Sequence, residues 1–421
     1  MTTKITDKNI STIANKFVQW QSVIIADGST ATNATAGQGY FIDTTSNTHT
    51  INLPSSPSIG DSVAIKDYAG TFATNNLTIG RNGKNIQGVA NNSLISSARA
   101  GLTLVYVDTT RGWVYSKESN VADLQLKLYV TATGGTVATT GDYKIHTFTG
   151  SGSFIVSCGG NSAGSDTVDY LVVAAGGGQG GGGGGFREGR QIAPAYTASP
   201  LVAPTGLPVS ATTYPVTVGA GGGGLGNSSV FSTITSAGGG GGVNSPAQTS
   251  VGPSGAGGSG GGAGGFPTSS PNLGGGLGNT PPVSPPQGNN GGDTGQVVGG
   301  QGIQGGGGGA GASGGVGSHP TGIGGAGGIG ASTSIYSSPS VGTPGPAPGR
   351  YFSGGGGGGS YNYPASPGPG ASAGGAGGGG PAQFASGTNG TANTGGGGGR
   401  GQTVSNGNGG SGIVVIRYKF Q

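Results

Sequence analysis

Between Ser22 and Ser116, short apolar runs recur along the chain and are separated by Gly, Asn, Asp and Pro. Several runs alternate apolar and polar residues, as in Thr48–Leu53, which is the period of a strand with one buried face. Arg81–Lys84 contains an Asn-Gly pair, which favours a tight hairpin turn. The pattern predicts a small all-β sandwich or barrel. The predicted strands are SVIIA, YFIDT, THTINL, DSVAIKDY, NLTIG, LTLVYV and GWVYS.

A helical period occurs near the N-terminus and strand-like runs return after the β region. Ile10, Ile13 and Phe17 share one face of Lys4–Phe17 at a spacing of 3.6 residues. This predicts a short helix for docking or trimerisation, with a frayed terminus as the alternative. We expect almost no other α-helix. The later strands are predicted at Tyr143–Phe148, Ser153–Ser157, Val168–Ala175 and Ile413–Phe420.

Glycine divides the chain into two halves. The 421 residues include 104 glycines, of which 14 lie in residues 1–150 and 90 in residues 151–421. Within 176–412 the glycines form short blocks separated by segments rich in Pro, Ser, Thr, Asn and aromatic residues. We predict an attachment segment at 1–21, a β domain at 22–118, a connector at 119–142 and a glycine-rich domain at 143–421.

The glycine-rich half has the composition of a flexible linker but is predicted to fold. Its blocks are short and repeated, and apolar strands bracket them. A polyproline-II-like helix makes no internal hydrogen bonds, so its backbone groups must bond to neighbours, and only glycine lets such helices pack closely. We predict a bundle of packed polyglycine-II helices. Between Gly176 and Arg400 the charged residues are few, unlike a solvated linker: Arg187, Glu188, Arg190, Asp293, Arg350 and Arg400.

Composition excludes several classes of protein. The longest apolar runs have about five residues, as in Leu171–Ala175, whereas a transmembrane helix needs about 20. Charged residues make up 7% of the chain and the net charge is +4, which does not match a disordered polyelectrolyte. The pI of about 9.1 comes from a small surplus spread along the chain. We therefore predict no nucleic-acid partner.

The side chains that could do chemistry do not form a recognisable constellation. His49, His146 and His319 lie in different predicted elements with no metal-ligand spacing. Cys158 ends an apolar strand, and the Asp166/Asp169 pair lies at a strand entrance. We predict no catalytic residues, no metal, no cofactor and no enzymatic activity.

The order of the phrases YKIHTFTGSGSFIVS, VDYLVVAAGGGQGGGGGG, YPVTVGAGGGG, NSSVFSTITSAGGGGG and GGSGIVVIRYKF resembles the glycine-rich domain of bacteriophage tail fibres. The first half is similar to a β domain of tailed-phage virion proteins. The second half resembles the tip adhesins of T-even-like phages, in which polyglycine-II helices carry receptor-binding loops. The chain departs from those adhesins in having its own β domain in front. The resemblance implies a virion protein located in the tail fibre.

Candidate binding residues lie in the segments between glycine blocks. Tyr and Arg on ordered loops provide large contact areas with polar tips, although the same aromatics could instead seal the bundle. If strands 168–175 and 413–420 pair, block 176–185 leads away from them, which would place Phe186–Tyr196 and Gln402–Asn406 at the distal end. We predict receptor-binding loops at 187–196, 349–352 and 360–364. Their candidate residues are Arg187, Arg190, Tyr196, Arg350, Tyr351, Phe352, Tyr361 and Tyr363.

These observations predict a phage tail-fibre adhesin that recognises an outer-membrane protein or a glycan on a bacterium. The N-terminal region is expected to contact other tail, baseplate or fibre proteins. We expect a homotrimer, although the glycine blocks of one chain could form a bundle alone. The alternatives are a structural virion protein, such as a decoration or connector spacer, and a depolymerase. The absent acid pair disfavours the depolymerase.

Overall fold

The structure, a computed structural model, divides the chain into two compact units, Met1–Gln125 and Leu126–Gln421. The predicted helix Lys4–Phe17 lies outside the described residues. Strands and no helix occur in the described part, as the all-β prediction requires. The described residues are 18–120, 128–162, 164–191, 196–243, 254–264, 273–295, 302–318, 322–361, 372–401 and 405–421.

The first unit contains two sheets. One has the order β1-β4-β6-β9-β10, with β2 also paired to β4, and the other has the order β3-β5-β7-β8. The strands are β1 (Gln19–Trp20), β2 (Ile24–Ile25), β3 (Thr32–Asn33), β4 (Gln38–Asp43), β5 (His49–Asn52), β6 (Ser62–Asp67), β7 (Leu77–Gly80), β8 (Ser93–Ile95), β9 (Ala100–Asp108) and β10 (Gly112–Asn120).

Strands β2 to β7 alternate between the two sheets, so sequence neighbours face each other across the core. As a result β4 pairs with β6, and β5 with β7, in parallel. Apolar residues at alternate positions of these strands meet fully buried Phe72 and Trp113. Arg81–Lys84 does form a turn, in which Asn82 and Gly83 have positive φ. It does not join a two-residue hairpin, because β8 begins only at Ser93.

The second unit contains the remaining strands. Its predicted connector, 119–142, holds the end of β10 and two strands that belong to the sheets of this unit. The strands are β11 (Val130–Thr133), β12 (Thr136–Thr140), β13 (Tyr143–Phe148), β14 (Gly152–Gly159), β15 (Thr167–Val173), β16 (Phe186–Gly189), β17 (Val202–Ala203), β18 (Leu207–Pro208), β19 (Thr213–Thr217), β20 (Ser229–Phe231), β21 (Ile234–Ser236), β22 (Gly302–Ile303), β23 (Ala331–Thr333), β24 (Arg350–Phe352), β25 (Ser360–Tyr361) and β26 (Ile413–Lys419).

A central sheet of this unit has the order β12-β13-β26-β15-β16-β17, and β18 also pairs with β15. Both faces of β15 and β26 are covered, which explains their apolar runs Leu171–Val173 and Ile413–Ile416. Val172 and Val414 pack with the second sheet, β11-β14-β19-β20-β21. Leu171 and Val415 pack on the opposite face with Phe352. Two hydrophobic cores therefore share one sheet.

Most glycines lie in segments that belong to no strand and bond sideways to one another. Gly182 N donates to Gly240 O at 2.8 Å, and Gly292 N donates to Gly306 O at 2.7 Å. A Cβ on Gly182 would lie closer than 3.0 Å to the backbone of neighbouring segments. This close packing therefore requires glycine. We call this network the glycine lattice: residues 174–185, 219–227, 237–243, 254–264, 273–278, 288–295, 304–318, 323–330, 353–360, 372–383, 387–401 and 405–412.

The lattice has two ends, defined by the strands that feed it. At the strand end, Ala174 continues from β15 and Gly412 leads into β26. The far end is where the first segment turns at Gly178–Gly180, where Gln179 has a φ of 67° and Gly180 a φ of 76°. Hydrogen bonds join that turn to Gly224, Gly242, Gly262, Gly398 and Gly407, which lie at the same end.

Candidate binding surface at the far end

The first lattice segment is a hairpin and not a single block. Gly177 N donates to Gly182 O at 2.9 Å and Ala174 N donates to Gly185 O at 3.0 Å, so 181–185 returns beside 174–178. The chain then enters β16, which pairs antiparallel with β15. Strands 168–175 and 413–420 pair as assumed, through β15 and β26. The predicted distal position of Phe186–Tyr196 is nevertheless wrong, because one block makes two passes.

The hydrogen bonds between lattice segments show whether each described connection lies at the strand end or at the far end. The long insertions and the short turns at the strand end are 186–191, 196–218, 228–236, 257–259, 279–287, 310–312, 331–352, 376–378 and 391–394. At the far end lie the turns 178–181, 223–226 and 383–386, together with the chain ends at 243, 254, 264, 273, 295, 302, 318, 322, 361, 372, 401 and 405.

Loop 349–352 is therefore also at the strand end, contrary to the prediction. Arg350 donates from Nε to Val341 O at 2.6 Å and from Nη2 to Gly342 O at 2.6 Å. Tyr351 is 5% exposed, and its hydroxyl accepts a hydrogen bond from Ala347 N at 3.0 Å. Phe352 is 1% exposed in the core beneath the central sheet. Arg350 and Tyr351 therefore bond within the insertion 331–352, and Phe352 packs it against the central sheet.

Arg190 and Tyr196 likewise pack at the strand end. Arg190 donates from Nη1 to Tyr196 O at 3.1 Å, and its guanidinium lies 5.7 Å from the centre of the Tyr196 ring. The same ring lies 4.7 Å from the guanidinium of Arg417. Burial raises the pKa of the Tyr196 hydroxyl, and the Glu188 carboxylate adds to the shift. Arg187 lies in β16, where it pairs with Val172 of β15.

A buried carboxylate lies beside these residues. Glu188, 1% exposed, accepts hydrogen bonds from Ser199 N at 2.8 Å and from Thr333 Oγ1 at 2.6 Å. Burial raises the pKa of Glu188, and the two hydrogen bonds oppose that shift. Because Ser199 and Thr333 belong to different strand-end insertions, Glu188 joins both insertions to β16.

The third predicted loop is at the far end. Ser360–Tyr361 forms β25, which pairs with Gly302–Ile303 of β22. Tyr363 lies outside the described residues, as do 402–404 of the predicted distal segment Gln402–Asn406. Ser405 and Asn406 lie at the far end, since Gly387 N donates to Ser405 O at 2.9 Å.

Phe384 was not among the predicted binding residues, but it is the large aromatic residue exposed at the far end among the described residues. Its side chain is 64% exposed. The neighbouring backbone is fixed on both sides, because Gln383 N donates to Arg400 O at 3.0 Å and Ser386 bridges to Ser405. Phe384 is thus an exposed ring on an ordered turn, the arrangement in which a contact residue loses little entropy on binding. One signal was available: Phe384 interrupts a charge-free segment between two glycine blocks.

Arg400 connects several far-end segments. Its Nη1 donates to Val243 O at 3.1 Å, its backbone N donates to Gly357 O at 3.0 Å, and its Cβ and Cγ cover Gly359. Burial lowers the pKa of the guanidinium. We define the far-end surface as Gln179, Leu225, Ser318, Gln383–Ser386, Arg400 and Ser405–Asn406.

Among the described residues, no three His, Cys, Asp or Glu side chains are grouped so as to hold a metal ion. Nor does the described chain contain a helix long and apolar enough to cross a membrane. No protein-family model matches the sequence, and no curated protein is similar to it. The described part of the second unit is thus an ordered lattice with an exposed surface at its far end.

Proposed function

We propose that the protein is a bacteriophage tail-fibre adhesin that binds a receptor on the bacterial surface through the far end of its glycine lattice. The passes of the lattice are proposed to be polyglycine-II helices, since each pass bonds sideways to neighbouring passes. The proposal rests mainly on the difference between the two ends of the lattice. Large, packed insertions connect the segments at the strand end, whereas the far end has a turn with an exposed aromatic residue. No catalytic step is part of the proposed activity.

The fixed backbone of the lattice supports this role. Each segment has neighbours to which it donates and from which it accepts, as Gly182 does with Gly240 and Gly177. Such a scaffold presents side chains at its ends without ordering them anew for each partner. The polypeptide enters the second unit through β11, which belongs to the strand-end sheets. The far end is therefore remote from the point of entry within this unit.

Cell binding tests the proposal. Fluorescently labelled protein would be added to a panel of bacterial strains, and bound protein measured by flow cytometry. We expect saturable binding to a subset of strains and a loss of at least tenfold in affinity for Phe384→Ala, the scale of an aromatic contact residue.

Two control variants test whether a loss of cell binding is specific to substitutions at the far end. Tyr68→Ala removes an aromatic residue of similar exposure, 59%, from the first unit. Arg350→Ala removes a predicted contact residue that lies at the strand end. Both should bind cells like the wild type. If the protein binds no strain, the proposal is wrong and a structural spacer in the virion is favoured. The proposal is also wrong if Arg350→Ala loses binding and Phe384→Ala does not.

A homotrimer remains part of the proposal. In the first unit, Trp20 is 48% exposed and stacks on Phe41 with ring centres 4.5 Å apart, and Ile25 is 76% exposed. Exposed apolar side chains on neighbouring strands are a common feature of association surfaces. Light scattering coupled to size-exclusion chromatography measures the number of chains directly.

A further inference from the structure

A cavity of about 540 Å³ lies at the strand end, between the central sheet and the insertions 196–218 and 331–352. Its volume is typical of sites that bind small molecules. The cavity therefore leads from exposed residues at its rim to a buried arginine, and we call it the Arg417 cavity. Its buried lining residues are Ile145, Ile335 and Arg417, and its exposed ones include Thr140, Thr197 and Ser337.

Arg417 is buried but incompletely paired. The residue is 4% exposed, and its guanidinium lies 3.9 Å from the centre of the Tyr143 ring and 4.7 Å from that of Tyr196. Nη1 lies 3.7 Å from Asp169 Oδ2, which is too far for a hydrogen bond. Among the described residues, this nitrogen has no hydrogen-bond acceptor. Because a buried donor without an acceptor is costly, Arg417 has donor capacity that a ligand in the cavity can use.

Asp169 opposes the charge of Arg417 but does not saturate it. Asp169 Oδ1 accepts a hydrogen bond from Gln191 N at 2.9 Å, and the charge of Arg190 also acts on this carboxylate. The other carboxylate of the region, Glu188, bonds to the two insertions. Burial raises the pKa of Asp169, and it lowers the pKa of Arg417 although Asp169 opposes that shift. A carboxylate in the cavity could accept the paired N–H bonds that Asp169 is too distant to accept.

The rest of the lining is suited to a ligand with several hydroxyl groups. Tyr196 and Tyr336 provide aromatic rings on which a sugar ring can stack. A hydroxyl group both donates and accepts hydrogen bonds, whereas an apolar ligand would leave such groups without partners. The hydroxyl groups of the lining belong to Thr140, Thr197, Ser334, Ser337 and Ser338.

We propose that the Arg417 cavity binds a hydroxylated carboxylic acid of monosaccharide size, such as a hexuronate, whose carboxylate accepts hydrogen bonds from Arg417. The cavity lies at the strand end, so this site is separate from the far-end surface and does not depend on the proposed adhesin function. A bound acid would contact β26 and the insertion 331–352 together, and would thereby hold the insertion on the sheet.

Isothermal titration calorimetry of the full-length protein with glucuronate, glucose and acetate tests the proposal. Glucose has the hydroxyl groups without the carboxylate, and acetate has the carboxylate without the hydroxyl groups. We expect a dissociation constant on the order of 1 mM for glucuronate, and binding at least about tenfold weaker for the other two. If glucuronate does not bind, or if glucose or acetate binds as tightly, the proposal is wrong.

An oligomer of glucuronate identifies the source of the acid. Affinity equal to that of the monomer supports an acidic sugar within a polysaccharide, whereas binding at least tenfold weaker supports a free acid.

Substitutions make the test specific to the cavity. Arg417→Gln should weaken glucuronate binding at least about tenfold, and unchanged binding would overturn the proposal. Because Arg417 belongs to the central sheet, a pair of variants at the rim provides a result that does not depend on the folding of this variant. Ser337 is exposed, and Ser337→Asp and Ser337→Asn introduce side chains of nearly the same size that differ in charge.

The Ser337→Asp variant should bind glucuronate at least about threefold more weakly than Ser337→Asn at low salt, because the two carboxylates repel each other. Both variants should bind glucose equally. Equal affinities of the two variants for glucuronate would show that the cavity does not bind the acid, and would overturn the proposal.

Discussion

The dependence of the lattice on glycine can be tested with one pair of substitutions. Gly182→Ala and Gly222→Ala make the same chemical change in the same lattice, at positions where neither residue has a positive φ. A Cβ at Gly182 would lie closer than 3.0 Å to Ser259 O and Gly260 O, whereas a Cβ at Gly222 would have no heavy atom within 4 Å. The first substitution must therefore separate segments, and the second need not.

The magnitude follows from the hydrogen bonds that surround Gly182. Its N donates to Gly240 O, its O accepts from Gly177 N, and Gly183 O next to it accepts from Ser259 N. Weakening three bonds at about 0.5–1.5 kcal/mol each gives about 3 kcal/mol of lost stability. For a domain of this size that lowers the unfolding midpoint by about 5 °C. Gly222→Ala should instead stabilise by about 0.4–1 kcal/mol, because alanine restricts the unfolded chain.

Differential scanning calorimetry of the full chain measures the two midpoints. The chain has two tryptophans, Trp20 and Trp113, and both lie in the first unit. Tryptophan fluorescence therefore reports the unfolding of that unit, and its transition should be the same in both variants. Equal midpoints for Gly182→Ala and Gly222→Ala would refute the reasoning, since a flexible linker would tolerate alanine equally at either position.

Three further predictions concern the buried groups and the assembly. Glu188→Ala should destabilise the second unit by about 3 kcal/mol, because two buried donors lose their acceptor, and Glu188→Gln should cost less than half of that in a urea titration followed by circular dichroism. Burial lowers the pKa of His146 below 6.5, so the unfolded chain binds a proton that the folded chain does not. As the pH falls from 7.5 to 5, the wild type should accordingly lose stability relative to His146→Gln, by at most about 1.4 kcal/mol per pH unit; parallel curves would contradict this. Trp20→Ser should reduce the number of chains measured by light scattering, and an unchanged mass would exclude the exposed Trp20 surface from the trimer interface.

The strands of both units could be predicted because their pattern is local. All seven runs of the first β region contain an observed strand, and the four runs that bracket the glycine-rich half correspond to β13, β14, β15 and β26. The pairing was not predictable in the same way. The parallel pairs β4–β6 and β5–β7 arise because successive strands alternate between two sheets, and period-two patterning is the same for parallel and antiparallel neighbours.

The candidate binding residues could be predicted from the sequence even less well than the strand pairing. The sequence singled out Arg350, Tyr351 and Phe352 because aromatic and Arg residues between glycine blocks suit a binding loop. In the structure, Arg350 and Tyr351 bond within a strand-end insertion, and Phe352 packs it against the central sheet. Arg, Tyr and Phe are the residue types expected in a binding loop and also in a packed insertion, so residue type does not distinguish the two roles. Phe384 also lies between two glycine blocks but was not chosen, because nothing local distinguishes an exposed aromatic residue from one that packs against the lattice.

By itself, the sequence determined that the chain is all-β, that its two halves differ, and that glycine replaces side chains wherever segments approach closely. Those properties are local, since a missing Cβ or an alternating pattern acts at each residue. The tertiary structure decided the direction of each segment, and with it which connections lie at the strand end and which at the far end. Gln179 and Gly180 turn one glycine block into two antiparallel passes. A turn of this kind reverses the end reached by the next loop, and its hydrogen-bond partners, such as Gly398 and Gly407, lie more than 200 residues away in the sequence.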